Sequence, residues 1–130
     1  MAKIFIVEDD LKIANIYKTR LEEDGHLVEI VNDEEAFSKI QSEKPNVVLL
    51  DILMPKVNGM TILRQLKEDP ELEDVPVLIL TNVEDANEVS AAIELGASGY
   101  LVKAETNLDT LSRKIKEVLE SSGIGYGVKS

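Results

Sequence analysis

Glu8 and Asp9 close the apolar run Ile4-Phe5-Ile6-Val7, and Asp51 closes a second run, Val47-Val48-Leu49-Leu50. Runs this short and rich in β-branched residues read as buried strands of a parallel sheet, whose C-terminal ends are where open α/β folds bind ligands. Three carboxylates within about 5 Å would repel pairwise by roughly 3 kcal/mol at an effective dielectric of about 20. Protonation of one acid or a bound cation must offset that, and an all-oxygen, partly hydrated donor set suits Mg²⁺ or Mn²⁺ far better than zinc. Thr81 follows Val77-Leu78-Ile79-Leu80 and Lys103 follows Tyr100-Leu101-Val102, so a hydroxyl and an ammonium fall at strand ends too. A strand-end carboxylate beside a metal can be a nucleophile that forms an acyl phosphate, with Lys103 and Thr81 meeting the phosphoryl oxygens. Taken singly, each residue has a plainer reading: Glu8, Asp9 and Asp10 cap a helix, Lys103 is solvated, and Thr81 is a cap. Their shared position at one sheet edge favours the chemistry.

Apolar runs alternate with segments of helical period, the pattern of a parallel sheet covered on both faces. The spacing predicts strands over 3–7, 27–31, 46–51, 76–80 and 98–102, with helices over 10–24, 33–43, 58–68, 84–95 and 106–121. The last helix has the clearest stripe, Leu108, Leu111, Ile115, Val118 and Leu119. Asp10 is placed to cap the first helix and Gly25 to end it; Asn58-Gly59 precedes the third, and Gly96 follows the fourth. Pro45, Pro70 and Pro76 fall in connections. Residues 1–121 are expected to form one domain, and the glycine-rich stretch 122–130 a flexible tail. Gly123, Gly125 and Gly127 follow a helix instead of joining strand to helix, so they do not form a nucleotide loop.

The chain has 130 residues, 44% of them hydrophobic and 30% charged, enough for one core without staples. Fourteen basic against twenty-five acidic residues give a net charge of −11, which argues against direct nucleic-acid binding. There is no cysteine, hence no thiolate nucleophile or disulfide framework. No apolar stretch approaches a membrane span and no signal peptide opens the chain, so the expectation is a soluble cytoplasmic protein without membrane insertion. His26, the lone histidine, falls near a turn away from the strand ends and reads as a turn residue, solvated or packed, not a catalytic base. The acidic run at 68–74 reads as a solvated loop.

Over residues 3–120 the chain resembles the receiver domain of two-component response regulators, similar to the chemotaxis-type single-domain regulators. The motifs are Ile4-Phe5-Ile6-Val7-Glu8-Asp9, Leu50-Asp51-Ile52-Leu53-Met54-Pro55 with Asn58-Gly59, Thr81, and Gly96-Ala97-Ser98-Gly99-Tyr100-Leu101-Val102-Lys103. The resemblance implies a doubly wound, flavodoxin-like α/β fold with a five-stranded parallel sheet in the order 2-1-3-4-5 and five helices. It implies phosphorylation of Asp51 by a histidine kinase or phosphotransfer protein. Mg²⁺ would be held by Asp9, Asp51 and the Leu53 carbonyl, with Glu8 acting through water. Thr81 and Lys103 would bind the phosphoryl oxygens. Tyr100 would be the switch aromatic, turning inward as Thr81 moves and remodelling the face of helix 4, strand 5 and helix 5 that an output protein or a second copy contacts. Such a protein is no enzyme beyond catalysing its own phosphorylation and dephosphorylation.

Two positions depart from the family pattern. Ala104 stands where proline in a cis peptide is common after the lysine, and a non-proline cis bond costs about 2.5–4 kcal/mol, which favours trans here. Asn82 stands where a small residue is frequent, so it narrows access to the phosphoryl group or hydrogen-bonds it. Three other readings compete. A haloacid-dehalogenase-type phosphatase needs a second Asp two residues after the nucleophile, where this chain has Leu53. A phosphorylation-independent pseudo-receiver would have lost the acids that are retained here. No output domain is expected after residue 121, so the signal would pass by protein contact or onward phosphotransfer; the alternative is the N-terminal part of a longer DNA-binding regulator, with the glycine-rich end as the start of a linker.

Overall fold

The computed structural model describes residues 2–52, 58–82, 86–103 and 107–121. Its elements are β1 (Lys3–Val7), α1 (Leu11–Glu23), β2 (Leu27–Ile30), α2 (Ala36–Glu43), β3 (Val47–Asp51), α3 (Gly59–Glu68), β4 (Val77–Thr81), α4 (Ala86–Leu95), β5 (Gly99–Val102) and α5 (Leu108–Ser121). All strand pairs are parallel, in the order β2-β1-β3-β4-β5. This is the expected doubly wound, flavodoxin-like sheet.

The central strands read as unbroken apolar runs because both of their faces are covered. Ile4, Ile6, Val47, Leu49, Leu78 and Leu80 point to one side, against Ala14, Tyr17 and Leu21 of α1 and Leu111, Ile115, Val118 and Leu119 of α5. Phe5, Val7, Val48, Leu50, Val77 and Ile79 point to the other, against α2, α3 and α4 through Ile40, Ile62, Leu63, Leu66 and Ala92. Period-2 alternation therefore sorts residues between two cores instead of between core and water.

Local signals set the connections. Asp10 caps α1, its Oδ1 accepting from the amides of Lys12 and Ile13. α1 ends in a Schellman turn in which Gly25 adopts a φ of +98° and the His26 and Gly25 amides donate to Leu21 O and Glu22 O. Gly96, with a φ of +113°, ends α4 in the same way. Pro76 has no amide to give, but its carbonyl accepts from Val48 N, so the β3–β4 ladder loses nothing. The second helix differs from expectation at its start: Asp33–Glu35 form a 3-10 turn capped by Asn32, and α2 proper begins at Ala36. A 3-10 turn is a common start to an α-helix, and here Asn32 caps it through the Glu34 amide while the three acids sit at the positive end of the helix. The expected tail, 122–130, lies outside the described residues.

Candidate functional site

β1 has β2 on one side and β3 on the other, so the strand order reverses between β1 and β3, and a crevice opens beyond their carboxyl ends. The register carries the predicted residues to it. Val7 pairs with Leu50, Asp51 with Leu80, and Thr81 with Val102, so Glu8, Asp51, Thr81 and Lys103 finish neighbouring strands at one edge.

Glu8, Asp9 and Asp51 each direct a carboxylate oxygen into a cluster whose atoms all lie within 4.8 Å of one another. Glu8 and Asp51 are only 4% and 2% exposed, whereas Asp9 faces solvent. Lys103 Nζ donates to Asp51 Oδ2 at 2.9 Å and approaches Glu8 Oε1 at 2.8 Å. The second contact is an ion pair out of line for a hydrogen bond, which leaves the buried Oε1 with a counter-charge but no aligned donor. The other Glu8 oxygen accepts from the Asp10 amide at 3.0 Å.

Burial dominates the electrostatics of Glu8, raising its pKa to about 7; Lys103 and the Asp10 amide oppose the rise and the Asp51 charge adds to it. Lys103 is also half-buried, which works against its charge, yet Glu8 and Asp51 outweigh that and hold its pKa above the ordinary lysine value. The site is thus an excess of carboxylate around a single described ammonium. A buried carboxylate oxygen without an aligned donor, in an all-oxygen cluster open on the Asp9 side, fits a hard divalent cation such as Mg²⁺.

Thr81 is 2% exposed and its hydroxyl donates to Asn82 O at 3.2 Å. Thr81 and Asn82 line a groove of about 550 Å³ with Ala86, Val89, Ser90, Ile93, Tyr100 and Val102. Tyr100 is 45% exposed, so its ring stands outward on β5 rather than packed in the core. Leu53 and Ala104 lie outside the described residues. His26 is 6% exposed and packs at the opposite end of the sheet, as a turn residue.

Two contributors were not evident from residue types. The Asp10 backbone amide, not its carboxylate, holds Glu8, so the third acid of the run serves the site from its main chain. Tyr17 is buried within the field of the cluster: burial raises its pKa, the Glu8 charge raises it further, and Lys103 opposes. Its place on the buried stripe of α1 was the available signal.

The model of the response regulator receiver domain matches residues 4–116. The chain belongs to the receiver domain family of response regulators. It is 37% identical over 118 residues to "Probable transcriptional regulator ycf27" of Guillardia theta, covering 90% of this chain and 45% of that protein. It is 32% identical over 123 residues to the alkaline phosphatase synthesis transcriptional regulatory protein PhoP of Bacillus subtilis (strain 168), covering 94% of this chain and 50% of that one. The receiver thus spans about half the length of these curated relatives. Among solved structures it resembles the signal receiver domain of a signal transduction histidine kinase from Syntrophus aciditrophicus, with a TM-score of 0.85, 30% identity, and coverage of 100% of this chain and 98% of that chain. Among the described residues of this receiver, no helix is long and apolar enough to cross a membrane.

Proposed function

We propose that Asp51 is a phosphoacceptor and that its phosphorylation switches a protein-interaction face. The observation that carries this reading is the cluster itself: Asp51 sits with Glu8 and Asp9 at the β1–β3 crevice, 2.9 Å from the Lys103 ammonium. A carboxylate oxygen of Asp51 attacks phosphorus, the donor's P–N bond breaks, and the imidazole of a histidine kinase or phosphotransfer protein leaves and regains a proton. In the reverse limb water attacks phosphorus, the bond to Asp51 breaks, and inorganic phosphate leaves. Beyond this self-directed chemistry the domain is not an enzyme.

Asp9 and Asp51, with the Leu53 carbonyl and with Glu8 through water, would hold Mg²⁺ or Mn²⁺. When bound, the ion supplies charge neutralisation for the carboxylates and the incoming phosphoryl oxygens. The chain's own groups do the rest. Lys103, already on Asp51, is placed to follow the charge onto a phosphoryl oxygen. Thr81 must give up its bond to Asn82 O to reach the same group, and that movement vacates space in the groove for the Tyr100 ring. The face of α4, β5 and α5 then changes shape for an output protein or a second copy.

A second reading concerns what the receiver controls. Coverage of only 45% and 50% of regulators named for transcription favours a DNA-binding partner domain in the same polypeptide, with the receiver itself making no nucleic-acid contact.

The experiment is intact mass after incubation with acetyl phosphate and Mg²⁺. One phosphoryl group should be gained, and the gain should vanish with EDTA and in Asp51→Asn. No gain under rapid sampling, together with no beryllofluoride binding, would leave a pseudo-receiver that works without phosphorylation.

A further inference from the structure

Glycine 59 opens α3, yet its backbone does not call for glycine: the only described glycines in the left-handed region are Gly25 and Gly96. In a helical conformation glycine is inferior to alanine, so its presence points to space rather than to backbone angle. A Cβ at this position would lie 2.2 Å from Asp51 O, 2.6 Å from Ile52 Cα and 3.0 Å from Asp51 C. All three are main-chain atoms, so no rotamer change relieves the clash. The first turn of α3 stands directly on the backbone of the candidate acceptor.

We propose that Gly59 is a positioning residue: its missing side chain fixes the Asp51 carboxylate relative to Glu8 and Asp9. The inference deepens, and rests on, the reading of Asp51 as phosphoacceptor. The contact is tied from both sides. The Gly59 amide donates to Ile52 O at 3.2 Å, and Asn58 caps the turn by accepting from Met60 N at 2.8 Å. Ile52 is fully buried in the same core as Met60, Ile62, Leu63 and Leu66, so neither the strand end nor the helix can yield without disturbing packing. Any β-carbon must therefore open the joint by about 1 Å or more to reach ordinary contact at 3.4 Å. Glu8 and Asp9 follow the end of β1, which the joint between α3 and the end of β3 does not include, so the opening alters the spacing of the three carboxylates. Errors of about 1 Å in such constellations cost up to roughly a hundredfold.

The test separates this role from mere packing. Gly59→Ala is compared with Leu63→Ala, which removes a buried side chain from the same helix without touching Asp51. Unfolding midpoints, Mg²⁺ affinity by calorimetry and labelling by acetyl phosphate are measured for each. Gly59→Ala should bind Mg²⁺ roughly ten- to a hundredfold more weakly, as loss of support behind a metal ligand does, and label correspondingly slowly. Leu63→Ala should be destabilised but keep the parent affinity. Parent-like Mg²⁺ affinity in Gly59→Ala, or loss of affinity in Leu63→Ala in step with stability, would overturn the proposal. If Gly59→Ala does not fold, the parent chain still decides. Exchange of the Gly59 amide should slow when Mg²⁺ and beryllofluoride are added, and unchanged exchange would overturn the role. Absence of labelling in the parent chain would instead count against the phosphoacceptor reading, while the Mg²⁺ comparison would still judge Gly59.

Discussion

Lys103 Nζ lies 2.9 Å from Asp51 Oδ2, so in this state the ammonium holds one oxygen of the candidate acceptor. It also compensates Glu8, and both carboxylates are almost fully buried. Removing one partner of a buried pair leaves an uncompensated charge, usually at greater cost than the pair itself contributes. Lys103→Ala should therefore lower stability in EDTA by about 2–3 kcal/mol, below the roughly 3–5 kcal/mol usual for a broken buried pair because Glu8 can relieve the strain by taking up a proton. Mg²⁺ should restore most of the loss, since a cation compensates the same oxygens. Urea unfolding with and without Mg²⁺ checks this; a variant as stable in EDTA as the parent would show that the pair carries little of the site's electrostatics.

Asp9 and Asp10 are adjacent acids whose roles the structure separates. Asp10 caps α1 with its carboxylate and supports Glu8 only through its amide, which alanine keeps. Asp10→Ala should cost about 1 kcal/mol of stability and leave Mg²⁺ affinity nearly unchanged. Asp9 contributes an exposed carboxylate to the cluster and no cap. Asp9→Ala should relieve repulsion, keep or raise stability in EDTA, and weaken Mg²⁺ binding at least tenfold, or about 1.4 kcal/mol. Calorimetric Mg²⁺ titrations beside thermal melts distinguish the two; equal effects would mean the acids act as one pool of charge.

These contrasts mark where the sequence is readable. The strands are legible because burial on both faces leaves Ile4–Val7, Val47–Leu50 and Val77–Leu80 without a polar residue, and the residue after each run must then emerge at the same edge. That is why Glu8, Asp51 and Thr81 group together on the sequence alone. The division of labour within Glu8-Asp9-Asp10 is not legible there, because the three carry the same carboxylate group and their roles are set by which way the turn points each one. Gly59 likewise reads as helix punctuation, and its near contact with Asp51 O becomes visible only once α3 is docked on β3.

His26 supplies a pH dependence independent of the acid cluster. Burial lowers its pKa from 6.5, with Asp24 opposing and the chain's amino terminus adding to the shift. A depressed histidine favours the folded state when neutral. Its contribution is present in full above pH 6.5 and is gone once the pH has fallen through the folded-state value. As the single histidine in the chain, its imidazole proton resonance is assigned without ambiguity, and its titration midpoint should lie below 6.5. His26→Gln should flatten that part of the stability profile; a midpoint at or above 6.5 would contradict the burial argument.

Lys44 ends α2 at a φ of +47°, the only positive value among the described non-glycine residues. A lysine there is strained by about 1 kcal/mol relative to glycine. Its side chain pairs with Glu71, but both partners are mostly exposed, and such pairs contribute little. Lys44→Gly should therefore stabilise the domain by up to about 1 kcal/mol without altering Mg²⁺ affinity. A lower urea midpoint would mean that the Lys44–Glu71 pair outweighs the backbone strain.

Asn82 is exposed at the end of β4, on the rim of the groove and one residue beyond the buried Thr81 whose hydroxyl it accepts through its carbonyl. That hydrogen bond uses the main chain, so Asn82→Ala keeps it and removes only the side-chain amide. If Asp51 carries a phosphoryl group, water must approach phosphorus from the open side of the crevice, and a smaller residue at 82 widens that approach. Asn82→Ala should shorten the lifetime of the acyl phosphate several-fold while leaving Mg²⁺ affinity close to that of the parent. The check is loss of the phosphoryl mass with time after acetyl phosphate is removed. Equal lifetimes would put the Asn82 amide outside the path of the attacking water, and a longer lifetime would mean that the amide orients that water instead of obstructing it.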